Sequence, residues 1–389
     1  MAPAKQPANA PLVALATGGT AGHVFPAEAL AAELGRRGCR LALITDRRGG
    51  AIGSGTGAGG GGFGDIPLFR IRAGGIAGKG LAAKIKSAFE ILAGTIQAWF
   101  ILERIKPSVV VGFGGYASVP TMLAAKFCAA RTALHEQNAV LGRANRLLAA
   151  GVGQIATSFE RVAAMPDGAA GVVRTGMPVR PAVAELRTTP YPERSDTSPI
   201  GILVFGGSQG AAVFTNVVPG AISRLAEDLR ARLTIVQQCR PDDLDAAIAA
   251  YREIGVAAEV AAFFDDLPAR MAVAHLIICR SGASTVAEAT TIGRPSIMVP
   301  YPHAADDHQS SNAHAVDAAG GGWLLPEEAF TPEILAGRLA SLLTMPRILE
   351  NAAAAAKAFG RPDAASRLAD MVLNLLPAES GLEFRGTAP

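Results

Sequence analysis

"LVALATGGTAGHVFPAEAL", residues 12–30, sets a short apolar run before a turn with three glycines in five positions, then a histidine and a helix-like stretch from Pro26. This pattern predicts a strand that passes to a helix through a turn nearly bare of side chains. Adjacent glycines allow positive φ and close approach of the backbone to a ligand. The helix start behind them offers unpaired N–H groups and the positive end of a dipole, which together suit a phosphate. The plain alternative is a tight turn that packs helix on strand. Neither standard nucleotide loop fits. The P-loop needs a lysine that is missing here, and "GGTAGH" lacks the spacing of the dinucleotide fingerprint. Asp46, at the end of the next apolar run, is nevertheless near where a ribose-binding acid would lie.

The turn has relatives within the chain: "VVGFGGYAS" at 110–118 and "LVFGGSQGA" at 203–211. Around them, apolar runs rich in branched residues alternate with helical patterns. "LALITD", "PLFRIR", "SVVVGF", "TALHE" and "GQIATS" follow the first run. After a polar, proline-rich junction at 177–199 come "IGILVFG", "RLTIVQQC", "AEVAAFF", "HLIICR" and "PSIMVP". Near-continuous apolar strands separated by helices predict parallel sheets covered on both faces, and connection handedness favours the doubly wound form. The fold class is therefore α/β with two Rossmann-like doubly wound domains. One stretch, 47–67, is too rich in glycine for the helix that the alternation expects, and reads as a flexible loop.

A chain of 389 residues favours two domains. Its formal charge of +3 is too mild to indicate nucleic acid. The four cysteines are scattered with no CxxC pair, as expected of isolated thiols in a reducing compartment. The N-terminal residues make a poor signal peptide, and no run has the length of a membrane span.

The second half carries sharper features. "CRSGASTVAEATTIGRP" (279–295) leads from strand to helix, with Glu288 expected in the first turn. A carboxylate there either caps the helix dipole or accepts the hydroxyls of a ribose while loop N–H groups hold a diphosphate. "VPYPHAADDHQSSNAHAV" (299–316) crowds His303, Asp306, Asp307, His308, Gln309 and Asn312. The spacing fits no standard metal-ligand pattern, so a polar sugar-binding loop is the better reading.

Taken together, "TGGTAGHVFPA", "GFGGYASVP", "HEQNAVLGRAN", "VFGGSQGA", "RSGASTVAE" and "ADDHQ" resemble the MurG family, bacterial N-acetylglucosaminyl transferases of peptidoglycan synthesis. The resemblance spans nearly the whole chain. It implies the glycosyltransferase B architecture, two domains facing a cleft. The implied reaction is transfer of N-acetylglucosamine from UDP-GlcNAc to the C4 hydroxyl of the muramoyl sugar of lipid I, with inversion, to give lipid II. No cofactor and no metal are expected. Implied donor contacts are Thr20, Ala21 and Gly22 of the first loop, Asn138, Gln309, and Arg180 and Ser208 on the phosphate side. Phe264 would meet the uracil through its backbone or an apolar contact. Ala283, Ser284, Thr285, Val286, Ala287 and Glu288 form the nucleotide loop, with Glu288 on the ribose. Gly18, Gly19, Gly114, Gly115 and Tyr116 would receive the acceptor diphosphate. His23 is the candidate general base, with Glu136 as the alternative.

The resemblance also sets domain bounds: a tail at 1–10, an acceptor and membrane-binding domain at 11–176 joined by a returning helix at 361–376, a UDP-GlcNAc domain at 177–360, and a second tail at 377–389. A lipid acceptor requires a membrane surface, so the protein is expected to be peripheral on the cytoplasmic face of the inner membrane. Ile76, Lys79, Leu81, Lys84, Ile85 and Lys86, with Phe89 and Trp99 beyond them, suit an anionic bilayer. The competing readings are a transferase with another acceptor, a Rossmann-type oxidoreductase, and a non-catalytic UDP-sugar- or lipid-binding protein. The missing GxGxxG spacing and the loop repeated in the second half argue against the oxidoreductase.

Overall fold

The computed structural model describes residues 10–18, 21–46, 63–74, 81–169, 171–195, 197–207 and 211–376, without the side chains of residues 21 and 81–85. The expected tails, apart from residue 10, and most of the glycine-rich loop lie outside that description.

Seven strands form the first sheet: β1 (Leu12–Ala16), β2 (Arg40–Asp46), β3 (Leu68–Ile71), β4 (Val109–Gly112), β5 (Arg131–Glu136), β6 (Gln154–Thr157) and β7 (Val172–Arg174). Six form the second: β8 (Ile200–Phe205), β9 (Leu233–Gln238), β10 (Ala257–Ala261), β11 (Leu276–Cys279), β12 (Ser296–Met298) and β13 (Gly322–Leu324). The spatial orders are β3-β2-β1-β4-β5-β6-β7 and β10-β9-β8-β11-β12-β13. Neighbouring strands pair in parallel throughout both sheets. Counted within its own unit, each sheet runs outward from its first strand in both directions, which is the doubly wound order.

The alternation of buried side chains explains the layers. In β1, Val13 and Leu15 join one core cluster while Ala14 faces another. In β4, Val109 and Val111 divide from Val110 in the same way. With both faces covered, the apolar runs are continuous rather than alternating. The helix Ala364–Leu373 packs on the β1 side, placing Leu368, Met371 and Val372 against Val13, Leu15 and Leu34. Arg37, just past the helix Ala21–Arg36, donates to Asp370 and, at 2.6 Å, to Ser366 Oγ. A separate core fills the second unit around Ile202, Val204, Phe214 and Leu339.

By packing, one unit takes in the chain up to Gln137, Leu141–Pro178 and the chain from Asp363 on; the other takes in Asn138–Val140 and Val179–Pro362. The sequence reading passes over two strands, β7 and β13. Each has only three residues. Val172 and Val173 of β7 stay 46% and 39% exposed at the sheet edge. β13 opens on a glycine because a Cβ at Gly322 would stand 2.5 Å from the carbonyl oxygen of Ser296 on β12.

Candidate active site

Ligands of doubly wound sheets bind beyond the carboxyl ends of the strands, where the winding reverses. In the first unit that point lies between β1 and β4, and in the second between β8 and β11. All three glycine turns and the 281–285 loop start at these four strand ends.

At the first switch point His23 sits in the opening turn of Ala21–Arg36. Thr17 Oγ1 donates to its carbonyl at 2.9 Å, and Pro26 withdraws the usual backbone donor from the carbonyl of Gly22. The imidazole rests on the second turn: a Cβ on Gly115 would stand 3.2 Å from His23 Cδ2, and one on Gly114 3.5 Å from Cε1. Both glycines also have left-handed φ, 80° and 70°. Here the double glycine serves the histidine as well as the turn. Gly18 has a packing role too, since a Cβ there would lie 2.7 Å from that of Ala117. Tyr116 is half-buried at the start of the helix Gly115–Ala125.

His23 Nδ1 lies 3.1 Å from Gln137 Oε1. Gln137 is buried, and its Nε2 faces the carbonyl of Phe113 at 2.9 Å, the carbonyl of His135 at 3.0 Å and His135 Nδ1 at 3.1 Å. His135 Nε2 in turn meets the carbonyl of Gly176 at 3.1 Å. Burial lowers the pKa of His135 to about 4; the Gly176 carbonyl opposes that shift and the neighbouring His23 adds to it. Glu136 is buried beside them, with Oε2 accepting from the Gly142 N–H at 2.9 Å and from Asn145 Nδ2 at 2.8 Å.

At the second switch point the helix Ala283–Ile292 begins after Gly282. Ser281 Oγ and Ser284 Oγ are buried and have no hydrogen-bond partner among the described residues. Buried hydroxyls in that state are costly unless a ligand satisfies them. Ala283 and Val286 pack inward, while Thr285 and Ala287 are half-buried. Glu288 falls in the second turn, not the first, so it does not cap the dipole. Its Oε1 accepts from Arg180 Nη2 at 3.0 Å and Nε at 3.2 Å. Burial pushes the Glu288 carboxyl up, and Arg180 pulls it back.

Gln309 Oε1 accepts the Tyr301 N–H at 2.9 Å, which turns its amide NH2 away from that bond. Asn312, fully buried, accepts from the Ala139 N–H at 2.8 Å and donates to Asn138 Oδ1 at 3.1 Å and to the Ser281 carbonyl at 3.0 Å. It thereby ties Asn138 to the nucleotide loop. Arg280 does similar work, donating to the carbonyls of Val299 and Pro300 at 3.2 and 3.0 Å and pairing with Glu327. Asp307 accepts from Ser310 Oγ at 2.6 Å. Among the described residues no group of three or more His, Cys, Asp or Glu is placed to hold a metal ion.

Phe264 is buried beneath the Arg270 guanidinium, 4.1 Å from its ring centre, so only its backbone is available to a base. Phe263 beside it is 52% exposed. Sequence reading passed over Gln137 and Phe263. Gln137 could have been noticed as the one neutral polar residue between two titratable ones and an asparagine in "HEQN".

Gly19, Thr20, Ser208, Ile76 and Lys79 lie outside the described residues. Gly22 and Ala21 open the His23 helix, and Leu81, Lys84 and Ile85 open the helix Leu81–Ile105. Lys86 is exposed on that helix. Beyond it Phe89, Leu92, Ile96, Trp99 and Phe100 are exposed at helical spacing, while Ala98 and Leu102 face the core. Among the described residues no helix is long and apolar enough to cross a membrane.

Two parallel α/β units with loops of this kind at both switch points suit a nucleotide-sugar ligand, and the family comparisons make the chain a glycosyltransferase. The N-terminal domain of glycosyltransferase family 28 matches residues 13–157, and its C-terminal domain matches residues 201–368. The chain is 55% identical over 372 residues to the UDP-N-acetylglucosamine–N-acetylmuramyl-(pentapeptide) pyrophosphoryl-undecaprenol N-acetylglucosamine transferase of Paramagnetospirillum magneticum, covering 95% of this chain and 98% of that protein. To the protein of the same name from Rhodospirillum rubrum it is 54% identical, covering 94% and 92%. The crystal structure of Acinetobacter baumannii MurG superposes with a TM-score of 0.76 at 29% identity, covering 94% of this chain and 99% of that one. The chain belongs to the MurG family of N-acetylglucosamine transferases.

Proposed function

We propose that this protein moves N-acetylglucosamine from UDP-GlcNAc to the C4 hydroxyl of the muramoyl sugar of undecaprenyl-diphosphate-linked lipid I, with inversion, giving lipid II. The observation that carries the substrate pair is the 54–55% identity, over nearly full length, to transferases bearing that name. In this reading His23 takes the C4 proton. Its ring is held by Gln137 and the Gly114 and Gly115 turn, and a base must be fixed toward one hydroxyl. Glu136 is the weaker candidate, because its Oε2 already holds the turn at Gly142 and Asn145.

Glu288 receives the ribose, and Arg180, bonded to its Oε1, opposes the upward push of burial on the carboxyl. Ser281, Ser284 and the N–H groups at the start of Ala283–Ile292 receive the diphosphate, whose charge grows as UDP leaves. Gln309 and Asn138 face the transferred sugar. The exposed stripe from Phe89 to Phe100, with Lys86, rests on the anionic cytoplasmic face of the inner membrane. Nucleic acid has no part in this reading. The test is UDP release with purified lipid I against other polyprenyl-linked sugars. Rapid release with lipid I alone is expected, and equal turnover of an acceptor lacking the muramoyl sugar would overturn the assignment.

A further inference from the structure

We infer that Gln137 is a positioning residue that sets the tautomer of His23, with the proton on Nδ1 and the lone pair on Nε2. The inference rests on the reading of His23 as the base only for its catalytic consequence; the tautomer follows from the hydrogen bonds alone. A glutamine amide can turn either way, so its partners must decide. One side of Gln137 faces two backbone carbonyls, those of Phe113 and His135. A carbonyl oxygen can only accept, so that side must be the NH2 group. The reverse orientation would crowd Oε1 against two carbonyl oxygens in a buried site, and although the His135 carbonyl would keep its bond from Asn145 Nδ2 at 3.2 Å, Oε1 would find no donor in either carbonyl.

His135 gives the same answer independently. Its Nε2 faces the Gly176 carbonyl and must carry the proton. Burial keeps the ring neutral at ordinary pH. Its Nδ1 is therefore an acceptor, and the group that faces it, Gln137 Nε2, is a donor. Both ends of Gln137 are now assigned: Oε1 points at His23 Nδ1, 3.1 Å away, and an amide oxygen can only accept. His23 must donate from Nδ1. Three bonds then run in one direction, from His23 to Gln137, from Gln137 to His135, and from His135 to the Gly176 carbonyl, so each polarises the next.

The consequence is chemical. A neutral imidazole takes a proton only at its unprotonated nitrogen, so fixing Nδ1–H makes Nε2 the basic atom. With the other tautomer the basic nitrogen would face Gln137. In the transfer step Nε2 would take the acceptor hydroxyl proton as the C4 oxygen bonds to the anomeric carbon and the UDP oxygen leaves with its electron pair. The resulting imidazolium keeps its Nδ1–H bond to an uncharged oxygen.

The experiment is nitrogen NMR of the full-length protein labelled with [15N]histidine, with His23 assigned by loss of its signals in His23→Gln. A pyrrole-type, protonated Nδ1 and a pyridine-type Nε2 are expected for His23 in the wild type. The same measurement on Gln137→Met should show the proton redistributed toward Nε2. In that variant kcat should fall about tenfold or more, with the KM for UDP-GlcNAc unchanged; the unchanged KM reports an intact donor site. A wild-type His23 protonated on Nε2, or identical His23 signals in Gln137→Met, would overturn the inference. If the tautomer behaves as expected while His23→Ala keeps full kcat, the assignment of the base fails and the role of Gln137 in orienting the ring stands.

Discussion

The two units share one plan and use it differently. Each winds its sheet outward from a first strand, and each sets glycine turns at the point of reversal. In the first unit the turn is filled from within: His23 lies on Gly114 and Gly115, and its ring is held by a buried amide that a second imidazole holds in turn. In the second the turn is lined by hydroxyls that no described residue satisfies, with an arginine–carboxylate pair beside them. A scaffold that supplies helix starts and close backbone approach can serve a reacting group or a bound anion. The choice depends on which side chains are packed against the turn.

The largest expected effect breaks the comparison on the side of the first unit. His23→Ala should lower kcat by about 10² to 10⁴ with little change in the KM for UDP-GlcNAc, the signature of a group acting in the transition state. Steady-state kinetics with saturating lipid I reads it. A raised KM with intact kcat would make His23 a binding residue like those of the second unit.

The units also differ in the connection that follows the third strand of each sheet. After β3 it contains the 25-residue helix Leu81–Ile105 with its exposed aromatic stripe, and after β10 the seven-residue helix Leu267–Val273. Replacing Phe89 and Phe100 with serine should weaken binding to anionic vesicles at least tenfold, since burying a phenylalanine is worth roughly 1.5–3 kcal/mol. Turnover of a short-chain soluble acceptor should survive. Unchanged flotation with vesicles would locate the membrane contact elsewhere.

The buried groups of the two sites respond oppositely to burial: it lowers the His135 pKa and raises that of Glu288. His135 titrates near 4 when folded and near 6.5 when unfolded. Its contribution is complete above about pH 6.5 and is lost as the pH falls toward 4, where the unfolded chain binds the extra proton. The loss amounts to roughly 3 kcal/mol. Melting temperatures across that window should fall less steeply in His135→Gln than in the wild type, and parallel slopes would refute the assignment.

The smallest effect tests the second unit. Glu288→Ala should raise the KM for UDP-GlcNAc about tenfold, the worth of a charge-assisted hydrogen-bond pair, with kcat nearly kept. Calorimetric titration with UDP should show the same loss, and an unchanged affinity would leave Glu288 as a partner of Arg180 alone.

Much of this was legible in one dimension. Strand runs, the repeated glycine turns, the doubly wound class and the motif set all depend on local spacing, because a fully covered parallel strand must be apolar at every position and a turn without side chains must be glycine. The short edge strands β7 and β13 were not legible, since three residues carry no period. Nor was the helical turn that holds Glu288, or which of Phe263 and Phe264 is buried, because each depends on packing against residues distant in sequence. "HEQN" announced a polar cluster, but the spelling does not say that Gln137 turns its oxygen to His23, 114 residues away. That direction is imposed by the carbonyls of Phe113 and His135, which only the folded chain brings to one side of the amide. The sequence determined which groups were available and on what scaffold; the tertiary structure decided which atom of each group faces which, because a buried hydrogen bond must match donor to acceptor.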